Sequence, residues 1–125
     1  MDVTAAAERV ISAYNSKDFD AMEGLVADDV DFAHFNRGLV FDNRQALMDA
    51  MRMFANDLLE SRKFESPERV TTSGSICVRE GYWTATPKVD LTAIGARAGE
   101  TVTLRFCTVM RFDNSGMLVE WKDHG

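Results

Sequence analysis

Asp29-Val30-Asp31-Phe32-Ala33-His34-Phe35-Asn36-Arg37-Gly38 reads as a strand, and the rest of the chain is arranged around it. Side chains alternate across a strand, so Val30, Phe32, His34 and Asn36 share one face. Val30 and Phe32 gain only by facing a core, and they carry His34 inward with them. Arg37 points away from His34 on a regular strand, although a bulge before Gly38 would turn it inward. Gly38 permits a sharp turn, after which the helical pattern from Asp42 folds back over the strand. A polar strand end beneath a helix makes a candidate pocket.

Upstream, Val3, Ala6, Ala7, Val10, Ile11 and Tyr14 recur at steps of three and four and predict an amphipathic helix stopping near Asn15-Ser16. Asp18 caps a second, shorter helix whose face is Phe19, Met22, Leu25 and Val26, closed by Asp28-Asp29. Downstream of the short apolar step Leu39-Val40-Phe41, Asp42 and Gln45 have the spacing of a capping box. They open a third helix with an unbroken stripe from Leu47, Met48 and Met51 through Phe54, Ala55, Leu58 and Leu59; the stripe is read as core packing.

From Arg62 the period becomes extended, with strands expected near Phe64 to Ser73, Ser75 to Thr86, Val102 to Asp113 and Met117 to Asp123. Asp113-Asn114-Ser115-Gly116 has the composition of a hairpin turn. The path of residues 87–100, a loop by its Pro87 and its Gly95 to Gly99 stretch, is left open. Helices first and mostly antiparallel strands after them define an α+β layer fold. A sheet that long, laid against helices, curls into a cone-shaped half-barrel with an internal pocket. With no repeat, charge block or linker, residues 1–125 form one domain.

The net charge of −6 disfavours nucleic acid and anionic membrane as partners, since both require clustered positive charge. No stretch approaches the roughly 18 apolar residues of a membrane span, and the N-terminal residues carry no leader pattern, so a cytoplasmic location is expected. Cys77 and Cys107 fit neither a disulfide scaffold nor a metal motif. His34 and His124 have no metal-ligand spacing, and no phosphate-cradling glycine pattern or nucleophile elbow occurs, so neither metal nor cofactor is expected.

The hairpin from Ala13-Tyr14-Asn15 to Lys17-Asp18-Phe19-Asp20, the stretch Leu25-Val26-Ala27-Asp28-Asp29-Val30 and the ending Gly116-Met117-Leu118-Val119-Glu120-Trp121-Lys122-Asp123 together resemble a SnoaL-like member of the nuclear transport factor 2-like superfamily. The resemblance spans Val3 to Asp123. It implies three helices on a curved mixed sheet and frequent dimerisation through that sheet. It leaves activity open among polyketide cyclases, ketosteroid isomerases, epoxide hydrolases, dehydratases and members without known chemistry. Asp123 matches the late acid of limonene-epoxide-hydrolase-like members. Their Arg-x-Asp falls on Gly81-Tyr82-Trp83, which disfavours that mechanism. His34 stands where ketosteroid-isomerase-like members place their base, and their oxyanion tyrosine aligns with Val10.

The residues themselves offer His34 as a base near neutral pH and Asp123, inward by alternation with Val119 and Trp121, as the carboxylate that orients it. The alternatives are a histidine satisfied in the core and an acid half solvated or paired with a surface arginine. Tyr14, Phe32, Asn36, Trp83, Thr108 and Trp121 are the expected substrate contacts, against the plainer reading that the tryptophans only fill the core. If the two side chains meet, directly or through one water, an ionised Asp123 raises the pKa of His34, whereas burial without a charged partner lowers it. The expected ligand is a small apolar or aromatic molecule, and the expected activity is isomerisation, cyclisation or dehydration without a cofactor. A non-catalytic small-ligand module is the competing reading. A homodimer is expected from apolar surface left by Cys107 and Val109 on the outer sheet face.

Overall fold

In the computed structural model, which describes residues 1–125, each helix begins at a side-chain cap. Asp2 accepts from the Ala5 amide and starts α1 (Val3–Asn15), which buries Val3, Ala6, Ala7, Val10, Ile11 and Tyr14. Asp18 accepts from the Ala21 amide and starts α2 (Phe19–Leu25). The third cap departs from expectation. Asn43, rather than Asp42, accepts from the Ala46 amide at 2.8 Å and opens α3 (Arg44–Met53), while Asp42 only takes a bond from the Asn43 amide group.

Strand β1 covers Val26–His34, so it starts before Asp29 and stops before Asn36. Val26 leaves the α2 face because it pairs with Leu118 and is fully buried there. Phe35–Arg37 form one 3₁₀ turn closed by Gly38 at φ +67°, a conformation open to glycine without a side-chain clash. That turn breaks the alternation. It moves Asn36 off the inner face and brings Arg37 onto it.

After β2 (Leu39–Phe41) and α3, residues Phe54–Leu58 widen into a π turn, and the expected helical stripe ends there because Leu59 already belongs to β3 (Leu59–Phe64). Strands β4 (Arg69–Ser73), β5 (Ile76–Pro87), β6 (Val102–Phe112) and β7 (Leu118–His124) complete the sheet. Its order is β2-β1-β7-β6-β5-β3, with β4 also on β5, and it does not close. Only β1 and β7 run parallel; all other pairs are antiparallel.

Strands β3 and β4 share one edge of β5, and the chain crosses between them over Gly81. A Cβ there would stand 3.3 Å from the Pro67 Cα, so glycine is what lets the backbones approach. Asp113 organises the β6–β7 turn by accepting from the Ser115 and Met117 amides. The loop left open by the sequence holds a 3₁₀ turn, Thr92–Ile94, and a bridge between Leu91 and Ala96. The helices and the sheet enclose a core of Val10, Met22, Val30, Leu47, Met48, Met110, Leu118 and Trp121, each almost wholly buried. No helix is long and apolar enough to cross a membrane.

Candidate functional site

Between the helices and the curved sheet lies a cavity of about 120 Å³ lined by 19 residues, 15 of them hydrophobic. The remaining wall residues, His34, Arg37, Arg62 and Asp123, carry its charge chemistry. Two of the three α-helices and every strand but β4 contribute to the wall. Tyr14 comes from the last turn of α1, Phe32 and His34 from β1, Met51 from α3, Arg62 and Phe64 from β3, Trp83 from β5, Phe106 from β6, and Trp121 and Asp123 from β7. Leu91 and Ile94 bring the 88–101 loop over the same space.

The aromatic rings form a box. Trp83 and Phe106 stack at 5.5 Å, Phe64 lies 5.0 Å from Tyr14, and Phe32 meets Trp121 edge-on at 5.6 Å. Such offset and edge contacts match the ring quadrupoles and fix the walls. Tyr14 Oη accepts from Trp83 Nε1 at 2.9 Å, which leaves its own proton without a protein acceptor. Burial pushes its pKa up to about 12, so the hydroxyl stays protonated and available as a donor.

Asp123 is 4% exposed. Its Oδ1 accepts from Thr108 Oγ1 at 2.7 Å and from Trp121 Nε1 at 3.0 Å. Oδ2 has no protein donor and is not among the sealed atoms, so it is the oxygen the cavity reaches. Burial raises the pKa of this carboxyl to about 6, with the Thr108 and Trp121 bonds holding it back from a larger rise.

His34 and Asp123 are register partners on the parallel β1–β7 pair and both reach the cavity. No direct hydrogen bond joins them. Thr108 on β6 and Trp121 hold Asp123 Oδ1, and both ring nitrogens of His34 are buried without a hydrogen-bond partner. Burial, helped by the Arg37 guanidinium, lowers the pKa of His34 to about 4, the direction expected of a buried imidazole without an anionic partner. The neutral imidazole stands edge-on to Phe106 at 4.9 Å as part of the wall.

Of the expected substrate contacts, Tyr14, Phe32, Trp83 and Trp121 line the cavity. Thr108 does not; it is buried behind Asp123 and reaches the site only through that carboxylate. Asn36 lies outside, exposed, where its Oδ1 accepts from the Gly125 amide at 2.7 Å. Val10 is sealed in the core, and Tyr14, one turn further along α1, is the tyrosine that reaches the cavity.

Two arginines join the site: Arg37, whose inward turn before Gly38 was one of the two readings of the sequence, and Arg62, which was not expected. Arg37 arrives through the 3₁₀ turn. Arg62 stands within Glu60-Ser61-Arg62-Lys63, which reads as a solvent-facing run. The signal that places it inward is its spacing of two from Phe64, since strand residues two apart share a face. It is 5% exposed, donates from Nη1 to the Tyr14 carbonyl at 2.5 Å, and lays its guanidinium 3.8 Å from the Tyr14 ring centre.

No curated protein matches the chain. Solved structures do. A candidate polyketide cyclase from Pseudomonas putida KT2440 is 17% identical, with a TM-score of 0.84 over 100% of this chain and 92% of that one. A second candidate polyketide cyclase, from Xanthomonas campestris pv. campestris, is 19% identical, with a TM-score of 0.83 over 98% and 89%. An LEH-like epoxide hydrolase of M. tuberculosis is 16% identical, with a TM-score of 0.78 over 98% and 80%. At these identities the likeness is one of fold, of the nuclear transport factor 2-like α+β cone. The sequence profile of the SnoaL-like domain matches residues 7–121, nearly the whole of the chain, and by that match this protein belongs to the SnoaL-like domain family.

Proposed function

We propose that the protein is a cofactor-free acid–base catalyst acting on a small aromatic molecule with a carbonyl group. The observation that carries this reading is Asp123: a buried carboxyl with a pKa of about 6 and one oxygen free toward an apolar cavity. A general acid or base works best when its pKa lies near the working pH. Tyr14 supplies the complementary part, a buried hydroxyl with an unclaimed proton, and the charge of Asp123 is felt at its ring oxygen.

In this scheme Asp123 Oδ2 takes a proton from the carbon beside the carbonyl. The C–H electron pair moves into the C–C bond, the carbonyl π pair moves onto oxygen, and the resulting enolate oxygen accepts from Tyr14 Oη. Asp123 then returns its proton to the same or a vinylogous carbon, which regenerates the enzyme and leaves an exchanged or isomerised product. His34, neutral and unbonded, is a wall residue and not the base. The polyketide cyclase and epoxide hydrolase names of proteins with this fold suit acid–base work on apolar substrates, and the fold by itself selects none of them.

Deuterium exchange tests the reading. Phenylacetone in deuterated buffer should lose its α-protons faster with the protein than without, with a rate that rises through a pH of about 6. Asp123→Asn should abolish the acceleration, and Tyr14→Phe should reduce it at least tenfold. Binding of the ketone with no acceleration at any pH would favour the non-catalytic ligand-binding module.

A further inference from the structure

The cavity holds positive charge that the protein does not neutralise. Arg79, equally buried, shows how this chain treats a buried guanidinium when the role is structural: Nε donates to Glu8 at 3.2 Å and Nη2 to the Glu65 carbonyl at 2.9 Å. Arg62 differs. It is 5% exposed, forms no ion pair, spends Nη1 on the Tyr14 carbonyl and leaves Nη2 buried with no acceptor. Arg37 repeats the pattern on the same cavity, with a buried Nε that nothing accepts and no ion pair.

A buried charge without a counter-charge is costly, and so is a buried N–H without an acceptor. Asp123 does not supply the missing anion. It shares no ion pair with either arginine, its Oδ1 is engaged by Thr108 and Trp121, and burial without a cationic partner is what dominates its own titration. The Arg62 guanidinium is also held in place, stacked on Tyr14 and bonded to the backbone of α1, so the charge it brings to the cavity wall is preorganised. A planar guanidinium edge with free N–H groups matches a carboxylate better than any neutral acceptor.

We propose that the natural ligand of this cavity is an aromatic monocarboxylate, with its ring in the box of Trp83, Phe106 and Phe64 and its carboxylate accepting from the Arg62 guanidinium in the positive field that Arg37 adds. The proposal rests on reading the cavity as a small-molecule site. A cavity of about 120 Å³, somewhat below the roughly 150 Å³ that takes benzene in an engineered apolar pocket, restricts the ligand to a single ring, with its carboxylate at the cavity wall.

Benzoate and its uncharged isostere benzamide separate charge recognition from ring recognition. Titrated calorimetrically into the wild-type protein at pH 7.5, benzoate should bind at least tenfold more tightly than benzamide. Arg62→Gln should remove that preference while leaving benzamide affinity within about twofold, and Arg62→Lys should recover only part of it. The benzamide arm shows that the variant still folds around its pocket, and Arg37→Gln, on a half-buried turn, provides a second variant with a smaller loss of the same preference. Equal affinities for the two compounds in the wild type, binding of neither, or a benzoate preference that survives Arg62→Gln would each overturn the proposal. Asp123→Asn should keep benzoate binding. Loss of proton exchange there with binding intact would count against neither proposal, whereas absent exchange in a wild type that prefers benzoate would defeat the catalytic reading alone.

Discussion

Asp123 and His34 titrate in opposite senses, and the pair makes a test at the level of single side chains. Folding lifts Asp123 from an ordinary 3.8 to about 6, so its contribution to stability is complete below about pH 4 and is lost as the pH rises through about 6. Folding lowers His34 from 6.5 to about 4, so its contribution is complete above about pH 6.5 and is lost as the pH falls through about 4. Between these limits the two trends offset one another. Asp123→Asn should therefore unmask a rise in stability of up to about 3 kcal/mol from pH 4 to 6.5, and His34→Phe a fall of similar size. Urea denaturation at half-unit pH steps measures both; curves parallel to the wild type would show that neither group titrates as described. Alternation was enough to read both residues as inward from the sequence. It could not show that Thr108 and Trp121 would claim Asp123 Oδ1 and leave the imidazole unbonded, because that depends on the register of the β6–β7 hairpin and on side-chain rotamers, which alternation does not specify. Arg62 was hidden for another reason: a charged residue among charged residues looks solvated until strand pairing with β5 turns it inward.

At the scale of elements, α3 shows what periodicity can and cannot supply. Its stripe identified Leu47, Met48 and Met51, all buried, but the same stripe continued through Phe54 to Leu59, where the chain widens and becomes a strand. Apolar spacing alone does not distinguish a helix end from a strand start when both face one core. Truncating Met48 to Ala should cost about 2–5 kcal/mol, since the side chain is fully buried, while Asp57→Ala should be nearly silent. The cap makes a sharper comparison. Asn43→Ala should cost about 1 kcal/mol and Asp42→Ala much less, because only Asn43 satisfies the Ala46 amide. Denaturant midpoints in the reverse order would return the cap to Asp42.

For the molecule as a whole, the order of elements was readable because each change of period is marked, from helix to the strand at Asp29, back to helix after Asp42 and to a long extended run from Arg62. The placement of β7 between β1 and β6 was not readable, since long-range pairing leaves little trace in a short window. The outward face of β5 and β6, with Tyr82 39% exposed and Cys107 and Val109 half-buried, is where a second copy is expected to pack. Light scattering at micromolar concentration should give twice 14.0 kDa, and a single species at 14.0 kDa would remove the dimer. The insertion of β7 also sets the order of events during folding. A late strand that completes the middle of the sheet leaves β1 and β6 each with an unpaired edge until it docks, and such edges recruit other chains. Refolding should thus be slow for a protein of this size, governed by distant contacts, and increasingly diverted to aggregates as concentration rises. Trp121 arrives with that strand, so its fluorescence would report the docking event itself and time the moment at which the cavity comes into being.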